Sequence, residues 1–238
     1  MKIALIGYGK MGKAIEKIAL EKGHEIVLKI DIDNAADLTP ENLRQAAVAI
    51  EFTSPHSAFG NVMKCLEYGV PVVCGSTGWL QHWDTAVAYC QSQNGTLIYA
   101  SNYSIGVNLF FALTRQLAHL MQHYPSYEVS LKEIHHTEKK DAPSGTAITL
   151  AEQIMAEMPG KKQWVNAPSA RPEDLVILSE RIDPAPGTHA VKFHSAIDDI
   201  EIIHTAHNRM GFAGGAVMAA EFAITKKGIF GMKDVLGL

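Results

Sequence analysis

Within its first dozen residues the chain carries the feature that most narrows its fold. A short apolar run, Lys2-Ile3-Ala4-Leu5-Ile6, passes directly into Gly7-Tyr8-Gly9-Lys10-Met11-Gly12. A helical pattern follows, with Ala14, Ile15, Ile18 and Ala19 on one face. Gly7 permits a tight turn, Gly9 lets the backbone approach a pyrophosphate, and Gly12 lets the helix pack close to the strand. Tyr8, Lys10 and Met11 share that turn and count with the glycines as candidate dinucleotide contacts. A second strand, Glu25–Ile30, ends in Asp31, nineteen residues beyond Gly12. A ribose-binding acid is expected about 20 residues on. The glycine spacing alone is a weak signal; the strand before it, the helix after it and the acid give it weight.

Apolar runs then alternate with helical stretches. Strands are predicted at 3–6, 26–30, 48–52, 70–74 and 97–100, and helices at 11–21, 41–45, 56–68 and 79–93. That alternation predicts an α/β fold, a Rossmann-type doubly wound parallel sheet. The pattern changes near residue 105. Residues 105–122 read as an amphipathic helix with Leu109, Leu113, Leu117 and Leu120 three or four apart. Strands are predicted at 128–134, 174–182, 189–197 and 200–207, and a helix from Gly145 to about Met158. This half predicts a second, α+β domain on an open mixed sheet, a kind of surface that can form an oligomer interface. An Ala- and Gly-rich helix at 213–227 is expected to return to the first domain. The expected division is a dinucleotide-binding domain, 1–104 with 209–238, and a substrate-binding and oligomerisation domain, 105–208.

Composition excludes several classes. A net charge of −4 argues against a general nucleic-acid binder. No apolar run approaches the roughly 20 residues that span a bilayer, so no membrane role is expected. The glycine turn starts before any signal-peptide apolar region could form. Three cysteines, Cys65, Cys74 and Cys90, lack metal-ligand spacing and read as thiols of a reducing cytoplasm.

The chemistry is concentrated in one later stretch, Glu133-Ile134-His135-His136-Thr137-Glu138-Lys139-Lys140-Asp141-Ala142-Pro143-Ser144-Gly145-Thr146-Ala147. Imidazole exchanges a proton near neutral pH, and ammonium holds an anion or donates a proton. A helix starting just after Pro143 offers unpaired N–H groups that favour a carboxylate or phosphate. Together these imply a small anionic substrate that is protonated as it reacts.

With both motifs placed, the chain resembles the dihydrodipicolinate reductase family of bacterial and plant lysine biosynthesis over nearly its whole length. The string from His135 to Ala147 carries the resemblance most specifically. The glycine turn, Phe52-Thr53-Ser54-Pro55, Gly75-Ser76-Thr77-Gly78, the segment Ala100-Ser101-Asn102-Tyr103 to Asn108, and Arg209 with Gly211-Phe212-Ala213 add to it. The resemblance implies hydride transfer from NADH or NADPH to a cyclic unsaturated dicarboxylate in diaminopimelate and lysine synthesis. The product would be tetrahydrodipicolinate, formed with loss of water. It also implies His135 as acid/base and Lys139 as a second donor, with His136, Gly145 and Thr146 binding substrate. Gly75, Ser76, Thr77, Ala100, Ser101, Asn102 and Tyr103 would lie on the nicotinamide side, and the assembly would be a homotetramer.

Bland readings compete with several of these. Lys139-Lys140 beside Glu138 and Asp141 is also what a solvated charge run looks like, and Lys140 is expected to face solvent. Tyr103 is either a core aromatic or a ring stacked on nicotinamide. His194, His204 and His207 invite a zinc reading, but His204 and His207 would point to opposite strand faces, and no cluster demands a metal. Asp31 followed by Ile32 favours NADH over NADPH, because a carboxylate repels a 2′-phosphate. Lys10 or Lys29 would be the compensating cation for some NADPH use. Two other classes share parts of the pattern, an amino-acid dehydrogenase of similar layout and a non-enzymatic NAD sensor. Neither explains a proton-donor loop joined to an anion-binding helix start.

Overall fold

Strands without polar alternation must bury both faces, and helices on each side of a parallel sheet provide that cover. In the computed structural model, which describes residues 1–238, these are β1 (Lys2–Ile6), β2 (Glu25–Ile30), β3 (Val48–Glu51), β4 (Val72–Cys74) and β5 (Thr96–Tyr99). A further strand from the far end of the chain, β11 (Gly228–Phe230), completes an all-parallel sheet in the order β11-β5-β4-β3-β1-β2. Alternate residues of β1 part to opposite faces, as strand geometry requires. Ala4 and Ile6 join a core with Val62, Leu66 and Trp79. Ile3 and Leu5 join another with Ile15, Ala19, Ala213, Ala216 and Ala220. The first core is closed by α3 (Ala58–Glu67) and α4 (Trp83–Ser92), the second by α1 (Lys10–Glu21) and α7 (Met210–Ala223). This is the expected α/β class.

The chain divides into two compact units, Met1–Ile105 with Arg209–Leu238, and Gly106–Asn208. The second unit is built on β6 (Glu128–His135), β7 (Gln163–Val165), β8 (Asp174–Arg181), β9 (Gly187–His194) and β10 (Asp199–Ala206). Their order is β10-β9-β6-β8-β7, with β6 antiparallel to β9 and parallel to β8. Helices α5 (Ile105–Met121) and α6 (Gly145–Glu157) contribute Phe110, Phe111, Leu150 and Ile154 to a core with Val129, Leu131, Ile177 and Phe193. The mixed sheet is therefore present as expected.

Several details differ from the sequence reading. The leucine stripe of α5 faces outward, with Leu109, Leu113 and Leu120 exposed at 43%, 58% and 54%. Val107, Phe110, Phe111, Ala118 and Met121 form the buried arc instead. This helix is apolar nearly all round, so periodicity offers two faces and the bulkier phenylalanines take the core. The helix predicted at 79–93 begins as a 3₁₀ turn, Leu80–His82, before α4. The final helix stops at Ala223, and the short edge strands β7 and β11 escaped prediction.

Candidate active site

The glycine turn of the first unit is dictated by crowding. Gly7 sits at φ +96°, and a Cβ there would lie 2.0 Å from the Phe52 carbonyl oxygen. A Cβ on Gly12 would lie 2.2 Å from the Gly7 carbonyl oxygen, so α1 packs against the turn only with glycine in place. Gly9, by contrast, faces open space within 4 Å, and as N-cap of α1 it leaves that helix start without a side-chain cap. Unpaired N–H groups beside open space fit a pyrophosphate. Tyr8 donates its hydroxyl to Glu16, whose other oxygen holds the Lys29 ammonium at 2.5 Å. Lys10 is exposed.

At the end of β2, Asp31 is exposed and caps a 3₁₀ turn: Oδ1 accepts the Ile32 N–H at 2.9 Å, and its own N–H donates to Asn34 Oδ1 at 2.7 Å. Ile32 is 91% exposed. The two loops that follow β3 and β4 lock together, Thr53 N–H donating to Ser76 Oγ at 2.8 Å. Ser76 is buried and thus occupied structurally, while Gly75 packs on the Phe52 ring and Thr77 is exposed. Ser101 is exposed and Ala100 half-buried, and Asn102 Oδ1 accepts the Ser104 N–H at 2.9 Å. Tyr103 corrects one alternative. Its ring is 2% exposed, tilted against Phe52, with the hydroxyl donating to the Cys74 carbonyl at 2.8 Å. A ring held in the core has no face left to stack on nicotinamide.

In the second unit, strand register builds the site. Glu133 on β6 is directly opposite His189 on β9 and Ser179 on β8, and His189 is in turn opposite His204 on β10. Directly paired residues share a face, and so do residues two apart on one strand. Glu133 and His135 therefore both point to the buried face of β6. The Glu133 carboxylate is fully buried and accepts hydrogen bonds from the Ser144 N–H at 3.1 Å, the Ser179 hydroxyl at 2.8 Å and the Arg181 guanidinium at 3.3 Å. Ser144 is the N-cap of α6, its hydroxyl accepting the Ala147 N–H at 3.2 Å and meeting His189 Nε2 at 3.1 Å. The Gly145 and Thr146 N–H groups are left as the unused donors of the first turn.

His135 is 7% exposed. Its Nδ1 is buried without a hydrogen-bond partner, and Glu133 Oε2 stands 3.5 Å from it, within ion-pair distance but outside hydrogen-bond geometry. On the opposite edge of the ring stands Gly187, where a Cβ would come 3.2 Å from Nε2. Arg181 staples the intervening loop to the sheet, its Nε donating to the Lys139 carbonyl at 3.2 Å and an NH2 to the Asp141 carbonyl at 2.5 Å. Lys139 is 22% exposed and ion-paired with Asp141 at 2.8 Å, whereas Lys140 is exposed. His136 is half-buried, its carbonyl accepting the Lys139 N–H at 3.1 Å.

Electrostatics separate the two buried groups. Burial pushes the Glu133 carboxyl up, yet hydrogen bonds from His189, Ser144 and Ser179 hold it well below the usual carboxylate range. Burial pushes His135 down, helped by His189, Lys139 and Arg181 and opposed by Glu133, to about 4. Its imidazole is thus neutral near pH 7.

Glu133, His135 and His189 also offer atoms within 4.8 Å of one another, a spacing that suits a metal ion. This trio was not legible along the chain because His189 lies on another strand. The same carboxylate is already paired with the Arg181 cation, which would repel a metal held there, so the trio fits a hydrogen-bonded network better. His204, though opposite His189 on the ladder, is not among these close ligand atoms and has its ring 6.0 Å from Phe110, and His194 is paired with Asp199 at 2.5 Å.

A parallel sheet opening on an uncapped glycine turn places the chain among the Rossmann-type α/β oxidoreductases that use a nicotinamide dinucleotide. Family models described as dihydrodipicolinate reductase match it twice, the N-terminus at residues 1–103 and the C-terminus at 106–236. The chain belongs to the dihydrodipicolinate reductase family. It is 48% identical over 237 residues to a 4-hydroxy-tetrahydrodipicolinate reductase of Christiangramia forsetii, covering 99% of this chain and 98% of that one. Identity to the enzyme of the same name from Neisseria meningitidis is 33%, covering 94% and 84% of the two chains. A solved structure of dipicolinate-bound dihydrodipicolinate reductase from Paenisporosarcina sp. superposes with a TM-score of 0.79 at 24% identity, covering 98% of each chain. An amine dehydrogenase from Mycobacterium smegmatis, at TM-score 0.61 and 13% identity over 96% and 94%, shares the fold alone.

Proposed function

We propose that this protein reduces 4-hydroxy-tetrahydrodipicolinate to tetrahydrodipicolinate with loss of water, in the diaminopimelate route to lysine. The observation that carries the reading is the loop after β6. It joins a buried strand-end imidazole, His135, an ammonium, Lys139, and the open first turn of α6 within a dozen residues. Curated relatives of the same name support the substrate, and the solved relative holds dipicolinate, a planar dicarboxylate of the same ring size.

A nicotinamide dinucleotide held by the Gly7–Gly12 turn and Asp31 would supply the hydride. The other tasks fall to the chain's own groups. The Gly145 and Thr146 N–H groups, with His136 beside them, bind one substrate carboxylate at the helix start. Lys139 binds the dianion and opposes the charge that develops as hydride arrives. His135 is neutral while the site is empty, so it cannot begin as an imidazolium donor. Each substrate carboxylate about 5 Å from the ring would favour the imidazolium by about 3 kcal/mol at an effective dielectric of about 20, or roughly two pKa units. His135 therefore takes up a proton as the dianion binds and returns it through Nε2 to the reduced ring.

NADH is the preferred donor in this reading. Asp31 suits ribose hydroxyls, Ile32 adds no cation, and Lys29 is committed to Glu16. The protein would work in the cytoplasm as a homo-oligomer, a tetramer by likeness to its family. The test is direct. The protein is incubated with NADH and the fresh condensation product of pyruvate and aspartate semialdehyde, and absorbance of the reduced cofactor is followed. Substrate-dependent oxidation is expected; its absence with both NADH and NADPH rejects the assignment.

A further inference from the structure

Glu133 is the most completely engaged ionisable side chain of the second unit, and the chemistry above gives it no task. Its carboxylate is fully buried, which is costly for a charge unless it is paired and hydrogen-bonded. Arg181 pairs it, Ser179 and the Ser144 N–H donate to it, and His135 Nδ1 and His189 Nε2 lie 3.5 and 3.6 Å away. One carboxylate thus sets its charge 3.5 Å from the ring, with no hydrogen bond made to Nδ1, and is hydrogen-bonded to the residue that starts α6.

A carboxylate only accepts hydrogen bonds. A neutral His135 with its lone pair on Nδ1 would set that lone pair against the carboxylate in a buried space. The other tautomer places Nδ1–H toward Glu133 Oε2 and leaves the Nε2 lone pair at the Gly187 edge. The Ser144 N–H meanwhile reaches both oxygens at 3.1 Å, so displacing the carboxylate displaces the helix start with it.

We propose that Glu133 is a positioning residue: its buried carboxylate holds His135 as the Nδ1–H tautomer with Nε2 free for proton exchange, and anchors the first turn of α6 beside it. This rests on the assignment of His135 to proton transfer made above. Two measurements on the full-length protein test it. Long-range ¹H–¹⁵N spectra of the ligand-free wild type at neutral pH, with the His135 signals identified by their loss in His135→Gln, should show the Nδ1–H form; an Nε2–H form overturns the proposal without need of a Glu133 variant. Glu133→Gln keeps the shape but removes the charge and offers an amide donor toward the ring. It should lower kcat at least about tenfold, a part of what a general acid/base contributes, mix the tautomers, and leave KM for NADH within about twofold. Wild-type kcat in Glu133→Gln, with His135→Gln impaired, overturns the positioning role alone. Wild-type kcat in His135→Gln removes the catalytic assignment itself, and the proposal with it.

Discussion

Glu133 and His189 face each other across the β6–β9 ladder, and the Glu133 carboxylate lies 3.5 Å from His135 Nδ1 and accepts the N–H of the α6 N-cap Ser144 at 3.1 Å. The proposed roles of Glu133 and His135 lead to the expected behaviour below.

The division of labour in the loop separates two variants. His135→Gln should lower kcat by about 10²-fold or more while leaving the dissociation constant for NADH unchanged, as loss of a general acid/base requires. Lys139→Ala should lower kcat and raise KM for the dicarboxylate together, because it removes charge from both ground and transition states. Steady-state kinetics with both variants check this, and near-normal rates in the pair would move the chemistry elsewhere.

Stability should depend on pH through the same groups. The folded His135 value, about 4, lies below its ordinary 6.5, so between those values the unfolded chain binds the extra proton. The His135 contribution is therefore complete above about pH 6.5 and lost as pH falls toward 4, on the order of 3 kcal/mol in all. Glu133 is held below 4.5, so its contribution is present above that pH and fades further into acid. Thermal melts from pH 7 to 4 should show a falling Tm, with a shallower fall in His135→Gln. Parallel curves for the two proteins would contradict the buried neutral imidazole.

Gly187→Ala is a sharper probe of ring geometry. The residue sits at φ +155°, and its new Cβ would stand 3.2 Å from His135 Nε2. The substitution should reduce kcat several-fold by crowding the atom proposed to exchange the proton, with KM for NADH unaltered, since the proposed dinucleotide contacts belong to the first unit. Full activity would mean that this edge of the ring is not used.

Cofactor choice is expected to turn on charge at the end of β2. Wild-type protein should show higher kcat/KM with NADH than with NADPH at matched ionic strength. Asp31→Ser combined with Ile32→Arg should reverse the order, because it removes a repelling carboxylate and adds a cation where the exposed Ile32 stands. A wild-type preference for NADPH would overturn the role given to Asp31.

Local pattern was enough for much of this. The strand, the glycine turn and the following helix are readable from Lys2 to Glu21 because each depends on near neighbours: branching, backbone freedom at Gly7, and the apolar face around Ile15. The strand end, loop and helix start of the His135–Ala147 string were likewise readable, since they are consecutive. The core position of Tyr103, the outward leucines of α5 and the edge strand β11 were not legible, because each is decided by what packs against it.

The sequence by itself determined which chemical groups are present and which of them must be near one another along the chain. Only the tertiary structure decided that Ser179, Arg181 and His189 gather round the Glu133 carboxylate beside the imidazole. With Glu133 they lie on three strands, and nothing but hydrogen-bond register aligns them. Register comes from burial of whole strand faces rather than from any local motif, so a one-residue slip would preserve every motif in the chain and still turn the carboxylate away from the ring.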